Sequence, residues 1–220
     1  LIDGGLAVEA ALKYFILSTL GAIFVLFAIG IYYGQYNALN IAMIAQRMQF
    51  TMLDKIALVL LVAALAMKCG AVPLHFWTPD AYSMAPSSVT AFLVVASQAS
   101  LYGLFRVVFT MYNITMNCVT VGWIIIIFGV LSMVVGVTMA IPQKDIKRLM
   151  AYHAVSQTGY MLLGVGVGLA VLGNTTLTSA FGFMAMEGGI FHIFNHAMYK
   201  GLLFLTAGAI IYRIGTRDLN

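Results

Sequence analysis

Charge is what this sequence has least of. Only 8% of its 220 residues are Asp, Glu, Lys or Arg, against roughly 25% in a soluble domain. So few charges cannot clothe a water-facing surface, and lipid must cover most of the chain. The net charge is +4. With no basic patch interleaved with aromatics, this is not a nucleic-acid footprint. Cysteine is scarce too. Cys69 and Cys118 stand far apart in apolar surroundings, with neither metal-ligand spacing nor a disulfide framework. They read as small core residues. Nucleotide-binding loops, haem motifs, iron–sulfur cysteine patterns and nucleophile triads are all missing, so no cofactor, metal or catalytic residue is expected. No signal peptide is visible. The chain starts at Leu1 rather than Met and reads as a piece of a longer protein.

What is present is long apolar runs. Hydrophobic residues make up 62% of the chain and mean hydropathy is +1.00. A bilayer span needs roughly 20 apolar residues. Six stretches qualify: A (about 7–33), B (about 53–72), C (about 88–111), D (about 119–141), E (about 149–171) and F (about 180–212). The expected fold is an all-α polytopic transmembrane bundle forming a single domain over residues 1–220. Gly188-Gly189 in F suggests a bend or loop in its first turns. The D–E connection carries Lys144, Lys147 and Arg148, and the segment after F carries Arg213 and Arg217. Both belong on one face, which the positive-inside rule makes cytoplasmic. The C–D and E–F connections carry no charge, and Arg47 in the A–B loop is a mild exception.

Span B ends in Lys68-Cys69-Gly70-Ala71-Val72-Pro73. Pro73 removes a backbone donor and clashes with the preceding turn, so the helix should break there. Transporters place binding sites at such breaks. One echo suggests internal symmetry: Ala10…Lys13…Gly21-Ala22-Ile23 in A and Ala197…Lys200…Gly208-Ala209-Ile210 in F share a spacing. The two stretches run in opposite directions, as in an inverted repeat.

Charge in hydrocarbon is costly, about 3 kcal/mol for a central lysine, so buried ionisable groups mark function. Lys68 beside the break fits a proton-binding lysine in a polar cavity; the alternative is a lysine snorkelling to the interface. His192, His196 and Lys200 recur every four residues on F. They form one stripe roughly 12 Å long. Imidazole accepts a proton on one nitrogen and donates from the other, so the stripe suits a proton wire. Zinc is a weaker alternative, lacking an H-E-x-x-H pattern or a third ligand. Lys13, one turn after Glu9, is either an ion pair near a helix start or part of the relay. Glu187 suggests an interface position. Ser97, Gln98, Ser100 and Tyr102 in C can bind water without titrating. His153, Ser156, Gln157, Thr158 and Tyr160 in E read as caps and interhelical hydrogen bonds. Arg106 reads as snorkelling.

Three stretches carry a family resemblance. K-C-G-A-V-P-L-H-F-W-T-P-D-A-Y-S-M-A-P (68–86), D-I-K-R-L-M-A-Y-H-A-V-S-Q-T-G-Y-M (145–161) and F-H-I-F-N-H-A-M-Y-K-G-L-L-F-L (191–205) resemble, in the same order, signatures of the antiporter-like membrane subunits of complex I. Similar subunits occur in multisubunit cation/proton antiporters and energy-converting membrane hydrogenases. The resemblance implies about fourteen helices built on two inverted five-helix repeats, with this chain supplying helices six to eleven. It implies that Lys68 is the protonation site of the first broken helix. It makes His192, His196 and Lys200 the relay of the second half-channel, and it matches Lys13 to a recurring lysine. Partners would be other membrane-arm subunits, further antiporter-like subunits among them, in a prokaryotic cell membrane or organelle inner membrane. Where some members carry a connecting lysine this chain has Gln98, and where others carry a histidine it has Phe92. Passage between half-channels would then need water. The string around the two histidines looks closest to hydrogenase-type subunits.

The expected function is H⁺ (or Na⁺) translocation within a redox-driven complex. A stand-alone or multisubunit cation/proton antiporter subunit, and a scaffold with an inactive channel, remain as alternatives.

Overall fold

The computed structural model describes residues 4–111 and 118–219. Its described residues are nearly all helical: α1 (Gly4–Tyr36), α2 (Ile41–Arg47), α3 (Met52–Cys69), α4 (Trp77–Met84), α5 (Ser87–Met111), α6 (Cys118–Ala140), α7 (Ile146–Val171), α8 (Thr175–Leu177) and α9 (Phe183–Ile214). A π-helical turn, Thr178–Gly182, joins α8 to α9. The C–D connection and the side chain of Cys118 lie outside the described residues.

Five helical runs are long and apolar enough to cross a membrane: Gly4–Tyr36, Ser87–Met111, Val119–Ala140, Ile146–Val171 and Thr175–Ile214. They correspond to stretches A, C, D, E and F. Stretch B forms α3, only 18 residues long and carrying Asp54, Lys55 and Lys68. It begins with a capping box: the Asp54 backbone N–H donates to Thr51 Oγ1 at 3.3 Å and the Thr51 N–H to Asp54 Oδ2 at 2.8 Å. Tyr36 from α1 donates to the same carboxylate at 2.6 Å, so the buried Asp54 ties two helix ends together. Helix α2 fell inside the expected A–B connection. Its local cause is Asn40, whose side chain accepts from the Ala42 N–H at 2.9 Å.

Gly188-Gly189 does not bend stretch F; both lie inside regular α9. The irregular turn comes earlier, at 178–182, where Thr178 donates through Oγ1 to Val171 O at 2.5 Å. Gly189 serves packing instead. A Cβ there would come 3.1 Å from Met161 O of α7.

Small residues decide the tightest contact in the bundle. Gly122, Gly129 and Gly136 recur every seven residues on α6, and Gly159 and Gly166 do so on α7. A Cβ on Gly129 would lie 2.9 Å from Gly159 O, and one on Gly159 2.5 Å from Gly129 O. The two backbones therefore touch along this seam, the packing that small residues permit where no hydrophobic force acts between helices. Outside the seam α6 presents Trp123, Ile127 and Val134, all exposed.

Among the five spanning runs α7 is the most enclosed, held by α6, α9 and α4. Its N-terminus is wrapped by the segment after α9: Ile146 N donates to Arg217 O at 3.1 Å and Leu219 N to Lys144 O at 2.9 Å. The two basic segments thus meet directly, as the shared face requires. Lys147 is more than a loop charge. It is 2% exposed and its ammonium donates to Ala85 O, the residue that ends α4.

Candidate functional site

The break between α3 and α4 is built from backbone chemistry. Gly70 ends α3 with φ 72°, a left-handed conformation costly for residues with a Cβ. A Cβ there would also lie 2.5 Å from Thr78 Oγ1. The terminal carbonyls find partners: Ala71 N donates to Ala66 O at 3.2 Å and Trp77 Nε1 to Met67 O at 2.9 Å. The Val72 N–H, freed by the break, donates to Ser132 Oγ of α6 at 3.0 Å. Backbone leaving a helix at membrane depth must be satisfied in this way.

Lys68 occupies the last turn of α3 and reaches a cavity of about 140 Å³ lined by Tyr14, Ser18, Trp77, Ser97 and Ser100 among others. That space suits several water molecules. The lysine stem lies against Gly21, whose Cβ would sit 3.7 Å from Lys68 Cε. Gly21 stands midway along α1, a helix roughly 50 Å long. Ser97 and Ser100 stand midway along α5. The amine therefore lies level with the midpoints of α1 and α5.

Gln98 is 3% exposed and donates through Nε2 to Ser97 Oγ at 3.3 Å. It thus touches a residue lining the Lys68 cavity. Its Oε1 has no hydrogen-bond partner among the described residues. Helices α5 and α9 run antiparallel, with Ser87 against Gly208 and Val95 against Gly201. That register puts Gln98 level with Ala197, between His196 and Lys200.

On α9, His196 is 0% exposed and Lys200 1%. Neither ring nitrogen of His196 has a hydrogen-bond partner among the described residues. Lys200 donates to Met150 O of α7 at 3.0 Å, leaving two of its three N–H groups for other partners. The rings of His192 and His196 lie 6.3 Å apart. His192 is half-buried, with Nε2 2.8 Å from Gln157 Oε1. Tyr199 donates to the same oxygen at 3.2 Å, and Gln157 Nε2 lies 3.5 Å from His153 Nε2. The stripe is one polar strip shared by α7 and α9.

Lys13 does not join Lys68. It pairs with Glu9 at 2.6 Å and with Asp80 of α4 at 2.7 Å, and Arg148 of α7 meets Asp80 at 3.0 Å. These side chains line a separate cavity of about 150 Å³. Of the two readings of Lys13, the ion pair is the one the geometry displays. Glu187 is exposed on α9.

The profile of the family described as "NADH:quinone oxidoreductase/Mrp antiporter, TM" matches residues 4–220. The chain belongs to this family. It is 33% identical over 225 residues to NADH-quinone oxidoreductase subunit N of Desulforudis audaxviator, an alignment covering 99% of this chain and 42% of the relative. It is 31% identical to hydrogenase-4 component B of Escherichia coli, over 97% of this chain and 32% of that protein. Among solved structures, a chain of the Mrp complex from Dietzia sp. DQ12-45-1b superposes with TM-score 0.82 at 28% identity, covering 96% of this chain and 37% of that one. The chain thus spans well under half of these relatives. Both quinone-oxidoreductase and hydrogenase components are among them, so the likeness does not favour the hydrogenase type.

In this NADH:quinone oxidoreductase/Mrp antiporter family member, several polar residues acquire partners that the sequence reading did not assign. Asp80 receives two cations, Lys13 and Arg148. Ser132 satisfies the helix break. His153 and Gln157 share the four-residue spacing of the α9 stripe; that repetition was the available signal that two polar stripes face each other. Among the described residues no group of three His, Cys, Asp or Glu side chains gathers as a metal site.

Proposed function

We propose that this chain is part of a larger antiporter-like subunit that moves H⁺ or Na⁺ through the membrane arm of a redox-driven complex in a prokaryotic cell membrane. The observation that carries the reading is one layer. Lys68, Gln98, His196 and Lys200 lie at matching levels near the midpoints of α1, α5 and α9. Protons would be held by Lys68, pass through water beside Ser97 and Gln98, and reach the His196–Lys200 pair. Gln98 cannot titrate, but its amide can donate to one water and accept from another. Loading one site with charge would disfavour charge on the next, so occupancy would alternate along the row. Residues carrying electrons are not part of this reading. The driving force would come from partner subunits, including further antiporter-like ones.

The test is proton transfer per electron by the intact complex in sealed vesicles. A Lys68→Ala variant that assembles should pump measurably fewer protons per electron. Unchanged stoichiometry would reject the proposal and favour a scaffold role. Transport by the isolated full-length subunit, without partners, would instead favour a free-standing antiporter.

A further inference from the structure

The cavity at Lys68 and the ionic cavity at Asp80 are neighbours on the same two helices. Along α1 the ionic cavity takes Glu9, Ala10 and Lys13, and the Lys68 cavity takes Tyr14, Leu17 and Ser18. Along α4 the first takes Asp80 and Met84, the second Trp77. The two spaces are therefore stacked end to end, separated by about one helical turn. What stands between them is an aromatic pair: the rings of Tyr14 and Trp77 meet with centroids 5.2 Å apart.

We propose that Tyr14 is the moving leaf of an aromatic gate, closing the Lys68 cavity to an ionic vestibule on the face that carries the 142–148 loop. The two rings are held very differently. Trp77 is buried, hydrogen-bonded to Met67 O at 2.9 Å, and packed edge-on against Tyr82 at 5.8 Å. It is the fixed jamb. Tyr14 is half-buried between the exposed Leu12, Phe15 and Ile16, and no hydrogen bond to a described residue restrains its hydroxyl. Tyr14 packs only at the edge of the cluster around Trp77 and Tyr82, so a rotamer change gives up that edge contact and leaves the buried members in place.

The vestibule has the chemistry to bring charge to this gate. Asp80 draws Lys13 and Arg148 from two other helices, and Glu9 offers a second, exposed carboxylate. Arg148 stands in the first turn of α7, directly after the basic loop. Lys13, bound to Asp80, directly precedes Tyr14 on α1, so a shift in the ion cluster moves the leaf against the fixed jamb. The gate admits protons and water to Lys68 from one face only, which a pump needs to avoid short-circuiting. Tyr14 is thus a positioning residue for Lys68. This inference rests on the conduction reading for its purpose, but not for its test.

The test reads access to position 68. In the intact complex, Lys68→Cys is introduced with Cys69→Ala and labelled in sealed vesicles of either orientation by a water-soluble methanethiosulfonate-ethylammonium reagent. Labelling is quantified by mass spectrometry of the peptide containing residue 68. Adding Tyr14→Ala should accelerate labelling from the 142–148 face about tenfold or more, as removing a barrier does, and leave the opposite face unchanged. Tyr14→Phe, which keeps the ring, should label at the slow rate. Tyr14→Leu, which keeps apolar packing, provides an intermediate case should the alanine variant fail to assemble. Unaltered labelling in Tyr14→Ala and Tyr14→Leu, equal acceleration from both faces, or a Tyr14→Phe variant as fast as Tyr14→Ala would each overturn the gate. The conduction reading fails separately, by normal pumping in Lys68→Ala, and the labelling result stands either way.

Discussion

Lys200→Met separates what a residue does for stability from what it does for transport. A lysine at the centre of a membrane helix costs about 3 kcal/mol on insertion scales. Lys200 recovers part of this by donating to Met150 O at 3.0 Å. A hydrogen bond from a charged group contributes about 2 kcal/mol. Met150 O also loses little when released, since it lies inside α7, where the N–H of Ala154 four residues on can use it. Methionine has nearly the volume and flexibility of the lysine stem, so the space around residue 200, which is 1% exposed, should refill without a cavity. The balance favours the variant by about 1 kcal/mol, a small upward shift in unfolding midpoint. The assay is thermal unfolding of the purified complex alongside proton pumping in vesicles. The expected result is equal or higher thermal stability together with impaired pumping. A fall of about 10 °C or more, or full pumping by a stable variant, would refute the reasoning that Lys200 is retained for charge movement.

Other outcomes follow from single contacts. Ser132→Ala strands the Val72 N–H at the helix break. Leaving a buried donor unpaired should cost about 1–3 kcal/mol, read as a lower unfolding midpoint. Gly159→Val places side-chain atoms where even a Cβ lies 2.5 Å from Gly129 O. It should force α6 from α7 and abolish assembly on native gels, while Gly30→Ala, which meets nothing within 4 Å, should assemble normally. Asp80→Asn removes the anion shared by Lys13 and Arg148. With both cations more than a third exposed, the loss of stability should be small and should shrink at high salt.

Much of the fold was legible because hydropathy reports spans directly, and five of the six apolar stretches became helices of spanning length. The break after Lys68 was legible because Gly70 and Pro73 constrain the backbone locally. What escaped depends on neighbours. The expected bend at Gly188-Gly189 rested on glycine as a flexible residue, yet Gly189 is there to admit α7. The seven-residue glycine pattern of α6 and α7 was visible in the letters, but its meaning needed the partner helix. Lys147 looked like a loop charge because its burial comes from α4 and the terminal segment folding over it. Lys13 was read as either an ion pair near a helix start or part of the relay; it pairs with Glu9, and its second partner, Asp80, lies 67 residues away. No local pattern links residues so far apart.

The central claim is a hydrated, lipid-shielded row joining α3 to α9 through α5. A map of the intact assembly that resolves ordered water would test it most directly. The account predicts a hydrogen-bonded chain of waters from the Lys68 amine past Ser97 and Gln98 to the His196 imidazole. A dry, close-packed gap between Gln98 and His196 in every state of the working complex would contradict it.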